Sequence, residues 1–355
     1  MSYFHLNLIL KGKLTVCCLL MLPAIPLNAQ REAKQIGDFK ESISLNEHLR
    51  GTKRTLQYCP DGDEFVCVNG KNRYTRALYG SHSPFRVETS DRPVFAFYNN
   101  GRGGNISFKV ILRDGTELAL DCTGHCESRY SAGKRTYYLT DPSWGKGELR
   151  ISVLALADMD GAIWRFSPSN MPKGAILRWQ HGGATGKRLS RNGDMGVDPA
   201  DCFELPAEAT HLVTGELPLQ KEVYLVRGEV PEGYNVRKLY QQAEAASLAL
   251  ASHLKIETPD PYLNTLGGAL VAAADGIWDG QVWLHGAIGW RMPLSGWRAG
   301  YTGDALGWHD RARTHFDAYA ASQVTDVPNT IPHPAQDSTM NLARSEKRWG
   351  TPQYS

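Results

Sequence analysis

The sequence predicts a β-then-α protein: an antiparallel β-sandwich followed by a helical domain. Three observations carry this. Between Thr55 and about Val230, short apolar alternations are separated by Asn-Gly and Asp-Gly pairs, the chemistry of hairpins. At about Gly233 the apolar spacing changes to that of helices. Ahead of both lies an N-terminal apolar run of a different kind.

That run is 14-LTVCCLLMLPAIPL-27, preceded by Lys11 and Lys13 and followed by Asn28-Ala29-Gln30. A basic start, a short apolar core and a small residue before a polar one describe a secretory signal peptide over residues 1–29. Pro23 and Pro26 interrupt the run, and it is short for a membrane span. A lipoprotein signal fits less well, because Thr15 and Val16 precede Cys17 where small residues are wanted. Residues 30–54 read as a polar lead-in. The expected location is therefore periplasmic or extracellular. The 39 Lys and Arg against 37 Asp and Glu leave a formal charge of +2. That balance gives no electrostatic case for nucleic acid or an anionic membrane surface.

The β-domain is assigned to residues 55–230. Its strands include 64-EFVCV-68 before Asn69-Gly70, 94-VFAFY-98 before 99-NNGRGG-104, and 106-ISFKVIL-112 before Arg113-Asp114-Gly115. Further strands are 136-TYYL-139, 149-LRISVLAL-156, 162-AIWRF-166 and 222-EVYLVRG-228. The pattern leaves sandwich against closed barrel open. Cys59 and Cys67 are spaced to bridge a hairpin, which an oxidising compartment permits. Cys122 and Cys126 flank His125, but three ligands without a second pair make a poor zinc site. No metal or cofactor is expected.

The helical domain is assigned to residues 233–355. Helices are expected over 234–254, over 261–278 with Gly267-Gly268 against a neighbour, and over about 303–323. The loop before the third helix contains His285 and Trp297, and the tail from Val324 reads as loop.

Several apparent motifs fail. The segment 181-HGGATGKR-188 has His and Arg where a phosphate loop needs Gly and Ser or Thr. Asp158 and Asp160 lack the downstream ligands of a calcium loop, so an Asp-Gly turn is expected. The run 101-GRGG-104 reads as a turn with positive φ.

The segment 290-WRMPLSGWRAGYTGDALGWHDR-311 behaves differently. Sugar sites combine aromatic faces with carboxylates and arginines that hydrogen-bond hydroxyls. Trp290, Trp297, Tyr301 and Trp308 supply faces; Arg291, Arg298, Asp304, His309 and Asp310 supply polar groups, with His285 just upstream. The competing reading is an aromatic plug in a helical core. Polar density within a loop favours the site.

Two stretches carry a family resemblance. The order 259-PDPYLNTLGGALVAAADGIW-278 then 283-WLHGAIGWRMPLSGWRAGYTGDALGWHDRARTHFDAY-319 resembles the first helices of a six-hairpin (α/α) glycosidase-like toroid. With 55-TLQYCPDGDEFVCVNGKNRYTRALYGSHSPFRVETSDRPVFAFY-98, it resembles a family of large secreted Bacteroidetes proteins of unknown function that place a β-sandwich before the barrel. The shared elements are Arg-x-Leu-Tyr-Gly and Phe-Arg-Val-x-x-x-Asp-Arg-Pro. The resemblance implies a secreted glycoside hydrolase acting on a plant or host glycan through two carboxylates. Asp304 and Asp310 are the candidates.

Twelve toroid helices of ~12 residues with ~5-residue connections need at least ~200 residues, and residues 233–355 supply about 120. The expectation is an incomplete toroid, without turnover by itself or completed by a partner chain. Two other functions compete. One is a carbohydrate-binding module using exposed sandwich aromatics such as Trp144 or Trp179, although core or edge packing is the favoured reading of those two. The other is a surface protein whose helices dock another chain.

Overall fold

The computed structural model describes residues 58–71, 74–80, 85–99, 102–182, 212–230, 232–284 and 293–321. The expected signal peptide, the lead-in, residues 183–188, Cys202 and the tail from Val324 lie outside the described residues.

The first strands are β1 (Cys59–Asp61), β2 (Glu64–Val68), β3 (Tyr74–Tyr79), β4 (Phe85–Ser90), β5 (Phe95–Asn99), β6 (Arg102–Ile111) and β7 (Glu117–Ala119). Then come β8 (His125–Ser131), β9 (Lys134–Thr140), β10 (Glu148–Ala155), β11 (Gly161–Ser169), β12 (Ile176–Gly182), β13 (Val213–Pro218) and β14 (Val223–Gly228). One sheet runs β1-β2-β8-β9-β10-β11-β14; the other runs β13-β12-β6-β5-β4-β3, with β7 on β6. The paired strands are antiparallel, as in the β10–β11 ladder.

The inner faces meet in one core. Phe95 and Phe108 from the second sheet set their rings against Tyr137, Trp164 and Phe166 from the first, at centroid distances of 5.1 to 6.2 Å. Two sheets sharing this core make a sandwich rather than a closed barrel.

Several turns form as their sequences dictate. The β6–β7 turn places Gly115 at φ +88°, and Asp114 accepts a hydrogen bond from the Thr116 amide at 2.9 Å. Asn69 also adopts positive φ, but it does not close a hairpin with the next strand. Its amide donates to Cys126 O, and the chain then crosses to the other sheet. The run 101-GRGG-104 is corrected more fully: Arg102, Gly103 and Gly104 belong to β6. Gly104 is there for space, since a Cβ would sit 3.2 Å from Gly182 O.

The cysteine bridge is also corrected. Cys59 pairs with Val66, so strand alternation puts the Cys59 and Cys67 side chains on opposite faces of the hairpin. These two, Cys122 and Cys126 are thiols.

Four helices follow among the described residues: α1 (Val236–Ala251), α2 (Pro261–Gly276), α3 (Pro293–Ala305) and α4 (His309–Ala321). Asn235 caps α1 by accepting from the Lys238 amide at 3.0 Å, and Asp260 caps α2 ahead of Pro261. Leu239, Tyr240 and Ala243 lay α1 on the outer face of the first sheet, against Leu154, Leu156 and Ile163. The Arg165 guanidinium lies 4.4 Å from the Tyr240 ring. Gly267 and Gly268 let α2 approach closely: a Cβ would meet Leu254 O at 2.7 Å in one case and Ala132 Cβ at 3.0 Å in the other.

The expected single helix over 303–323 is two helices, and the expected loop holding Trp297 is α3. The break between them is a Schellman cap. The Gly307 amide bonds Asp304 O and the Trp308 amide bonds Gly303 O, each at 2.9 Å, with Gly307 at φ +79°. Among the described residues, no helix is long and apolar enough to cross a membrane.

Candidate functional site

The α3–α4 hairpin sorts the predicted residues into buried and exposed sets. Its fixed point is Trp283, 1% exposed, whose indole N–H donates to Ala274 O at 2.9 Å. The Trp283 amide donates to His315 Nδ1 at 3.0 Å, joining the strand-like turn after α2 to the middle of α4. Because Nδ1 accepts here, it is not the protonated nitrogen of this imidazole.

Glycines seat α3 on this cluster. A Cβ at Gly303 would lie 1.9 Å from Trp283 Cη2, and one at Gly300 would lie 2.6 Å from Phe316 Cζ. The glycine face turns inward, which leaves Tyr301 and Asp304 on the outside.

Trp308 belongs to the packing set. It is half-buried, stacks on Trp283 at 6.4 Å with an interplanar angle of 17°, and carries the Arg311 guanidinium 4.7 Å from its ring. Arg311 in turn holds Asp275 at 2.6 Å, tying α4 to α2. Trp308, expected as a sugar face, is thus packed against this cluster with part of its surface still accessible.

The exposed set is smaller. Tyr301 is 59% exposed, touching the Phe316 ring at 5.8 Å. Asp304 Oδ1 and His309 Nδ1 are 2.7 Å apart across the Schellman turn, both largely in solvent. Asp310 is exposed in the first turn of α4, where its charge suits the helix dipole. No hydrogen bond links Asp304 with Asp310 among the described residues. His285, Trp290 and Arg291 lie outside the described residues; Trp297 and Arg298 are on α3, but their side chains lie outside the described set.

The sandwich aromatics proposed for sugar binding are not exposed. Trp144 is 2% exposed in a short 3-10 turn capped by Asp141. Trp179 is 9% exposed, covered by Gly215 of β13 and the Arg227 guanidinium 5.1 Å from its ring. A Cβ at Gly215 would fall 2.6 Å from the Trp179 ring, so the glycine makes room for the indole.

The charged residues of the Phe85–Pro93 stretch form structural clasps. Asp91 is fully buried and accepts from the Tyr58 hydroxyl and from Thr75 Oγ1 at 2.8 Å. Arg135, also fully buried, lies 3.7 Å from Asp91 and donates to Ser128 Oγ at 3.1 Å and Ser90 O at 3.3 Å. Burial pushes the Tyr58 phenol up to about 12, against the lowering effect of Arg135. Arg92 donates to Gly70 O, Asp121 O and Thr123 O, stitching three connections together. Arg86 and Glu88 form a buried pair at 2.5 Å. These side chains hold the two sheets in register at one edge, a use of charge that sequence density alone does not distinguish from catalysis.

Sequence reasoning missed one concave feature. A cleft of about 220 Å³ opens between the end of β3, the β8–β9 and β10–β11 turns, and the facing sides of α1 and α2. Its alanine walls carried no chemical signal in the sequence. Among the described residues, no group of three or more His, Cys, Asp and Glu converges to hold a metal.

A family model described as "Domain of unknown function (DUF4450)" matches residues 100–229. The matched stretch takes in most of both sheets, from β6 to β14, and none of the helices. No match to the chain is found among curated proteins.

Proposed function

We propose that the chain is a secreted glycoside hydrolase-like protein that engages a plant or host polysaccharide at the α3–α4 hairpin. The observation that carries this is the exposed Tyr301 ring one helical turn from the Asp304–His309 pair. The ring offers an apolar face to the C–H side of a pyranose. The carboxylate and imidazole offer an acceptor and a donor to its hydroxyls. Asp304 is the first candidate for general acid or base, with Asp310 the second. In this reading the hairpins α1–α2 and α3–α4 are successive units of an α/α toroid, and the sandwich is its N-terminal support.

The test pairs binding with turnover. The full chain is titrated with a panel of plant and host polysaccharides, and reducing ends are assayed in parallel. The expected result is binding that Tyr301→Ala weakens by about 1–2 kcal/mol, with Asp304→Asn lowering turnover far more than binding. Binding without turnover would leave a glycan-binding protein. Neither binding nor turnover across the panel overturns the proposal.

A further inference from the structure

The cleft between the sandwich and the first helical hairpin has the chemistry of a second, smaller site. Seven of its lining residues are alanine, spread over β3, two turns, β10, α1 and α2. The wall is therefore flat and apolar, with only three polar side chains on it: Tyr79, Ser247 and Asp275.

Each of the three has a defined state. Tyr79 is wedged under α2, where a Cβ at Gly276 would lie 2.1 Å from its Cγ. Its hydroxyl makes no hydrogen bond among the described residues. Burial and the neighbouring Glu88 hold it well above the usual phenol range, so it remains a donor. Ser247 Oγ gives its proton to Ala132 O at 2.6 Å, leaving lone pairs to accept. Asp275 spends one oxygen on Arg311 at 2.6 Å, which offsets its charge.

From these groups we infer that the cleft binds a small neutral polyol, one monosaccharide unit in size. The donor and acceptors match a ligand that both gives and receives hydrogen bonds. The Asp275–Arg311 pair offers no net charge to an ion. A cavity of ~150 Å³ is enough for one benzene ring, so the cleft's volume of about 220 Å³ has room for a single six-membered ring. The inference does not rest on the α3–α4 reading, since neither Tyr301 nor Asp304 lines this space.

The test is titration of the full chain with neutral monosaccharides (glucose, galactose, mannose, xylose), with glucosamine and glucuronate as charged counterparts. Neutral sugars are expected to bind, and Tyr79→Phe is expected to weaken them about three- to tenfold, the worth of one hydrogen bond. Because the lost hydroxyl has no partner among the described residues, the thermal midpoint of Tyr79→Phe should match or exceed that of the parent. Ala246→Val, which adds two methyl groups to the wall, should also weaken binding, while Tyr301→Ala should leave it unchanged. No binding by any neutral sugar, binding indifferent to both Tyr79→Phe and Ala246→Val, or tighter binding of a charged counterpart would each overturn the inference. Loss of polysaccharide binding in Tyr301→Ala with monosaccharide binding intact separates the two sites.

Discussion

Gly303→Ala tests the packing that turns Tyr301 and Asp304 outward. In an open helical position the change would stabilise by about 1 kcal/mol, because alanine is the better helix former. At Gly303 the new methyl would lie 1.9, 2.5 and 2.6 Å from three atoms of the Trp283 six-membered ring. Carbon atoms want ~3.5 Å or more, so either the ring or the helix must move by roughly 1.5 Å. The ring is held by its N–H bond to Ala274 O and on its face by Trp308, and the Trp283 backbone is held by its amide's bond to His315 Nδ1. The helix is therefore the part that shifts. Overpacking of this kind costs about 1–3 kcal/mol, and three simultaneous contacts put it at the upper end. The net expectation is a loss of about 1–2 kcal/mol, read from urea unfolding followed by tryptophan fluorescence. Gly303→Ala proving more stable than the parent by ~0.5–1 kcal/mol, as at a free helical site, would refute the seating of α3 on Trp283.

Two further predictions concern the sandwich. Asp91→Ala leaves Arg135 buried beside an empty position, and the chain should lose about 3–5 kcal/mol in denaturant unfolding; a loss under ~1 kcal/mol would show that the clasp is dispensable. The second concerns His181, whose Nδ1 accepts from Arg227 Nε at 3.0 Å. Burial, then the Arg227 charge, pushes its imidazole down to about 4. The folded state thus binds fewer protons than the unfolded one below pH ~6.5. Stability present above ~6.5 is lost as pH falls towards 4, by up to about 3 kcal/mol before solvent screening at this half-buried site is discounted. His181→Asn should flatten that limb of the urea-midpoint profile, and identical slopes in the two proteins would sink the assignment.

The β-then-α order was legible because period-two and helical spacings are local properties of the chain. Strands such as β6 and β10 were found for that reason. β4 and β8 were missed because polar side chains share their buried positions with apolar ones. In β4, Arg86, Glu88, Thr89 and Ser90 are buried beside Phe85 and Val87. In β8 the inward residues are Cys126, Ser128 and Tyr130. Period-two analysis counts apolar residues, and here ion pairs and hydroxyl bonds do the burying. Helix α3 was missed for a related reason. Its sequence, PLSGWRAGYTGDA, is poor in helix formers, and the glycines that argue against a helix are what let it approach Trp283 and Phe316. Close packing overrode propensity.

The same override changes what the dense aromatic segment means. Aromatics and charges at this density fit a sugar site and a helical core equally well, and the hairpin contains both. Trp283, Trp308, His315 and Arg311 close on one another around a buried indole. Tyr301, Asp304 and His309 remain on the outer side. Arg311 belongs to the first group although its charge alone would place it in the second, because Asp275 and two indole faces already hold it. A polar group with that many internal partners has little left to give a ligand. Charge count therefore overstates the site, and the useful measure is donors and acceptors left over after packing. By that measure the hairpin offers one exposed dyad and one ring, and the cleft offers one phenol, one hydroxyl oxygen and one carboxylate oxygen. Each set is small enough for single substitutions to separate them.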